Sequence, residues 1–104
     1  MARHPRRPDP LPDREILELS KRYLSSGGII PTGHFKGRVE DRRITMTDIF
    51  STIESGAVTK APEWNEDFQE YNYFIKGRDN EGEEVTVKVA ISIEDEVLTL
   101  ITCY

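Results

Sequence analysis

One cysteine, two histidines and one tryptophan are all that this 104-residue chain holds of those residue types, and each scarcity removes a class of explanation. Cys103 stands alone, so no internal disulfide framework is available, and a reducing compartment is the natural expectation. His4 and His34 cannot assemble the Cys/His tetrahedron of a zinc site when one of them lies in the N-terminal tail. The 19 acidic residues show no calcium-loop spacing, so neither a metal nor a cofactor is expected. No apolar run approaches the roughly 20 residues that span a bilayer, which argues against a membrane partner. The opening "MARHPRRPDPLPD" lacks the apolar middle of a secretory signal, and a cytoplasmic location follows as the expectation.

What is present suits one soluble domain: 37% hydrophobic and 32% charged residues, in a length that supports a single core. The net charge of −5 conceals an asymmetry. Residues 1–43 hold ten Lys/Arg against six Asp/Glu, whereas residues 60–104 hold four against eleven. A local positive region still attracts phosphate on an acidic protein, because screening confines exposed charges to about 10 Å. Residues 1–13, with four prolines and Arg3, Arg6 and Arg7, read as a disordered basic arm or as a tether for RNA or a protein. Residues 14–104 then form the domain.

Three helices are expected before the sheet. Asp13 caps the first, from about Arg14 to Ser26, with Ile16, Leu19, Tyr23 and Leu24 on one side and Gly27–Gly28 as its stop. Thr32 caps a short second helix. "ITMTDIFSTIESG" supplies a third, with Thr45 and Asp48 as a capping box and Ile44 against Ile49 as a staple. Beyond Gly56 the pattern alternates. Val85, Val87, Val89, Ile91 and Ile93 point one way along the clearest strand. "EYNYFIKG" and "EVLTLITCY" flank it in an antiparallel meander, and "AVTKAPEW" adds a fourth strand ended or bent by Pro62. The expected class is therefore α+β, with two or three N-terminal helices on one face of a three- to four-stranded antiparallel sheet.

The stretch "TGHFKGRVEDRR" gathers one histidine, one lysine and three arginines against Glu40 and Asp41. His34, Arg38 and Arg42 recur every four residues and fall within about 80° on a helix, beside Phe35 and Val39. They make one cationic stripe at the border of core and solvent. Either internal carboxylates such as Asp41, Asp48 or Glu70 neutralise the arginines, or the stripe is a phosphate site with His34 as acid or base.

Read as H-x-x-x-R-x-x-x-R-x-I-[ST]-x-x-D-[IV], the residues His34, Arg38, Arg42, Ile44, Thr45, Asp48 and Ile49, together with the ending "LTLITCY", resemble a bacterial family filed as domain of unknown function 4258. The resemblance runs from about Thr32 to Tyr104. It implies relatives of the RelE-like, barnase-like small toxins, with MqsR-type ribonucleases as neighbours and small antitoxin proteins as partners. Such toxins cut RNA without metal, driving the ribose 2'-hydroxyl onto the adjacent phosphate. In that chemistry His34 is the acid or base and Arg38 and Arg42 stabilise the phosphate, while Thr102, Tyr104 and Trp64 are candidate substrate contacts. Packing roles for Thr102, Tyr104, Trp64, Tyr71 and Tyr73 are the structural counterpart. A non-enzymatic protein-interaction domain on the same scaffold is the competing function.

Overall fold

The computed structural model describes residues 7–104. Along the chain come α1 (Asp13–Ser26), β1 (Ile29–Pro31), α2 (Gly33–Asp41), α3 (Met46–Glu54), β2 (Ala57–Val58), β3 (Glu63–Asn65), β4 (Glu70–Arg78), β5 (Glu84–Ser92) and β6 (Val97–Cys103). The strands form one sheet in the order β1-β6-β5-β4-β2, with β3 also on β4. The class is α+β as expected, but the sheet has six strands and is mixed. β1 runs parallel to β6, and every other pair is antiparallel.

Local sequence explains most element boundaries. Helix α1 begins one residue before the expected start, because the carbonyl of Pro12 already accepts the Ile16 N–H; Pro12 and not Asp13 is the cap, and no side chain bonds there. Asp13 and Glu15 in the first turn suit the helix dipole. At its other end Gly27 takes φ 79°, and the amides of Gly27 and Gly28 close back on Leu24 and Tyr23. Helix α3 carries the full capping box, Thr45 with Asp48.

All three helices cover one face of the sheet. Ile16, Leu19, Tyr23 and Leu24 of α1, Phe35 of α2 and Ile49 and Ile53 of α3 pack on Tyr73 and Ile75, on Val85, Val87 and Val89, and on Leu98, Leu100 and Cys103. The alternation of period two is plain from Val85 to Val89 on β5, whereas β4 buries Asn72, Tyr73, Phe74 and Ile75 in a row; Ile93 falls in the turn after β5 and is exposed, unlike the four residues expected to share its face. On β6 the alternation breaks. Val89 pairs with Leu100 but Val87 pairs with Cys103, so one residue is extra on β6, a bulge around Ile101. Cys103 thereby joins the core and Thr102 turns to the other face, opposite Lys88.

The fourth strand divides. Val58 pairs with Ile75 and Glu63 with Asn72, so the edge chain advances further than β4 between those pairs, and Thr59–Pro62 loops out. Lys60 from that loop lies 4.3 Å from the ring centroid of Phe74 and Lys88 lies 5.7 Å from it. Glu63 bridges both ammoniums at 3.6 and 3.4 Å, which roofs Phe74 on the face without helices.

Candidate functional site

The stripe expected from the sequence rests on β6. Thr32 extends its amide to the Leu100 carbonyl at 3.0 Å and its hydroxyl to the Ile101 carbonyl at 2.9 Å. The same hydroxyl accepts the Phe35 N–H at 3.1 Å and so caps α2. Successive carbonyls of a regular strand point to opposite sides; the bulge lets two neighbours turn to one residue. Beyond Leu100 the edge of β6 has no strand beside it, because β1 ends at Pro31. There Arg38 takes over, its Nε donating to the Cys103 carbonyl at 3.2 Å.

This anchorage sets what each cation has left to offer. Arg38 is half-buried, and one of its five N–H groups is committed to the backbone, which fixes the plane of the guanidinium. Among the described residues neither Arg38 nor Arg42 lies in an ion pair, and Arg42 and His34 are exposed. Of the carboxylates that could have neutralised the stripe, Asp41 lies on α2 itself in no ion pair among the described residues, and the other two are engaged or located elsewhere. Asp48 accepts from Thr45 and from the Asn80 amide, and Glu70 lines a cavity with Trp64, Tyr71 and Tyr73. Hydrogen bonds to the Thr45 and Asn80 amides hold the Asp48 carboxyl below its ordinary value. Burial pushes the Cys103 thiol up, and the charges of Arg42 and Arg38 offset part of that. Both guanidiniums therefore project their field onto the same end of β6.

Along α2 the three residues stand one turn apart, about 6 Å per step. Arg38 is central, with His34 in the first turn and Arg42 at the C-cap. An imidazole beside two guanidiniums can move a proton next to a bound phosphate ester. Among the described residues no group of three His, Cys, Asp or Glu side chains is placed to hold a metal ion. No helix among them is long and apolar enough to cross a membrane.

Residues 32–104 match the family described as domain of unknown function 4258. The chain belongs to that family. The match begins at Thr32, the residue that pins α2 to β6, and leaves α1 and the arm outside. No curated protein and no solved structure matches the chain. Of the residues that carry the resemblance, His34, Arg38 and Arg42 keep polar groups outside any ion pair of the described residues, whereas Thr45, Asp48, Ile44 and Ile49 are engaged in capping and packing. Asp48 also ties α3 to the β4–β5 turn through the Asn80 amide at 3.1 Å.

The other sequence candidates lie apart from the stripe. Trp64 pairs with Tyr71 toward the other edge of the sheet, three strands across and four residues along from the Cys103 end, roughly 20 Å at ordinary strand spacings. It packs edge-on against Tyr71, with ring centroids 4.9 Å apart. Thr102 is buried on the face opposite α2, and Tyr104, on the same side, is about half exposed. The carbonyls of Ile101 and Cys103 went unread in the sequence, since every residue has one and only the bulge gives these two their role. Of the basic arm, Arg3 and Arg6 lie outside the described residues. Arg7 lies over Trp64 and beside Glu66, and Pro8 and Leu11 bond Tyr71 and Tyr73.

Proposed function

We propose that the chain is a toxin-like endoribonuclease of a bacterial type II toxin–antitoxin pair, on a RelE-like or barnase-like scaffold, and that the stripe on α2 is its phosphate site. The observation that carries the reading is the pair of arginines without carboxylate partners, one of them oriented by the Cys103 carbonyl, on one helix side with an exposed imidazole. Two unpaired arginines one turn apart repel each other, and an external anion relieves that repulsion. The terminal nitrogens of Arg38 remain for forked bonds to phosphate oxygens.

In the proposed reaction the ribose 2'-oxygen bonds to phosphorus as its proton passes to the neutral His34 imidazole. The P–O5' bond breaks, the 5'-oxygen leaves with a proton taken from water, His34 returns the proton it received to solvent, and a 2',3'-cyclic phosphate and a 5'-hydroxyl result. Arg38 and Arg42 stabilise the charge that gathers on the non-bridging oxygens. The partner on this reading is a small antitoxin protein.

The test is cleavage of a mixed-sequence RNA by the full chain and by His34→Ala, Arg38→Ala and Arg42→Ala, with chelator present. Loss of one guanidinium contact to a transition-state phosphate corresponds to about a 100-fold lower rate. Equal products from wild type and His34→Ala, or none from any of the proteins, would overturn the reading.

A further inference from the structure

On the helix-bearing face, remote from the stripe, lies an open cavity of about 250 Å³. Trp64, Tyr71 and Tyr73 line it with aromatic residues, and Glu70 and Asp9 are its acidic lining residues. Among the described residues no lysine or arginine lines it, and Glu70 is in no ion pair. Burial pushes the Glu70 carboxyl up, the mark of an acid that has lost water without gaining a cation. Aromatic and acidic residues around one open cavity, with no basic one among them, suit a cation, which ring faces and negative charge attract together.

The chain already shows what chemistry the rim accepts. The Arg7 guanidinium carbon lies 5.3 Å from the Trp64 ring centroid, and its Nη2 lies 3.4 Å from Glu66. Both partners of that pair are well exposed, so the contact is weak and readily displaced. Nucleic acid fits poorly here, because the phosphates that accompany a stacked base would meet Asp9, Glu66, Asp67 and Glu70.

We infer that the cavity bounded by Trp64, Tyr71, Tyr73 and Glu70 is a receptor for an arginine side chain on a basic peptide segment of a partner protein, with Arg7 resting on its rim until displaced. Arginine suits it better than lysine, since a planar guanidinium stacks on Trp64 while forking to Glu70. The inference rests on the cavity alone and holds whether or not the α2 stripe cleaves RNA.

Trp64 is the sole tryptophan, so its fluorescence reports the site directly in the full chain. The probe is acetyl-Gly-Arg-Gly-amide, with the neutral citrulline peptide and adenosine monophosphate as comparisons. A saturable change with the arginine peptide is expected, about tenfold weaker with citrulline and about tenfold weaker in Glu70→Gln, and tighter in Arg7→Ala. Calorimetry on Trp64→Leu, with thermal melts of each variant, covers the case in which Glu70→Gln fails to fold; loss of binding in folded Trp64→Leu is expected. Equal response to citrulline, binding unchanged in folded Glu70→Gln or Trp64→Leu, tighter binding of adenosine monophosphate, or no saturation by the arginine peptide would each overturn the assignment.

Discussion

Replacing Thr32 by valine removes two hydrogen bonds at the single residue that fastens the cationic helix to the sheet. The hydroxyl accepts the Phe35 amide and donates to the Ile101 carbonyl, while the backbone bond to Leu100 survives the change. Loss of an N-cap costs about 1 kcal/mol, and loss of the second bond, which leaves a partly buried carbonyl, costs about 1 kcal/mol more. With the m-value of a small domain in urea, a total of about 2 kcal/mol lowers the unfolding midpoint by roughly 1 M. Thr32→Ser keeps the hydroxyl and is expected within about 0.5 kcal/mol of wild type, since it retains the cap chemistry. Equilibrium urea titration followed by circular dichroism measures both. If the valine variant also fell within that margin, the helix would be held by Phe35 packing alone, and the placement of the stripe by Thr32 would be refuted.

Three further outcomes follow from the same coordinates. A methyl group at Gly77 would collide with the backbone carbonyl of Thr52 and crowd Ser55, so Gly77→Ala is expected to cost about 2–3 kcal/mol in the same titration. The Asp48 carboxyl titrates below its ordinary 3.8, so the stability it lends is present above that value and lost as pH falls through the lower folded value. Thermal melts at falling pH should therefore show a shallower acid loss in Asp48→Asn than in wild type, and parallel curves would contradict the linkage. Cys103 is fully buried with its thiol pushed up by desolvation, so an aromatic disulfide reagent at mild alkaline pH should react only as fast as the chain opens. Reaction at the rate of a free thiol would show that the C-terminal half of β6 is not packed under α2.

The sequence shows some of these features and hides others for physical reasons. Helix α3 is legible because its signals are local: Thr45, Asp48 and the Ile44–Ile49 spacing all lie within one turn and a half. Strand β5 is legible because one face is core and the other is not, which writes period two into Val85, Val87 and Val89. Strand β1 carries no such signature. Ile29–Pro31 is three residues long, ends in proline, and becomes a strand only through its parallel pairing with Leu98–Leu100, about 70 residues away. The bulge on β6 is hidden for a different reason. In "LTLITCY" apolar residues and hydroxyls are compatible with either face, so nothing local says that Cys103 rather than Thr102 turns inward. The stripe itself was legible as spacing, but the lack of an ion pair to Arg38 or Arg42 among the described residues was not, because that depends on where Asp41 and the distant Asp48 and Glu70 come to rest.

That dependence gives the residues of this stretch a division of labour that shows in their contacts. Asp48 has hydrogen bonds from Thr45 and Asn80, so its charge is compensated locally and contributes little to the field over α2. Had that carboxylate been free on the exposed side of α3, it would have been a ready counterion for a guanidinium on α2. Glu70, the third acid, lines the aromatic cavity of the opposite half. Asp48 and Glu70 are thus engaged or distant from the stripe, Asp41 stays on α2 outside any ion pair of the described residues, and Trp64 meets a guanidinium instead of a phosphate. Adding an acid beside the stripe tests this arrangement: Val39→Glu, three residues before Arg42, would supply a further counterion and is expected to abolish any phosphate-dependent activity, with wild-type far-ultraviolet circular dichroism as the check on folding. Undiminished cleavage in a folded Val39→Glu protein would mean that the cationic field of α2 plays no part in the chemistry.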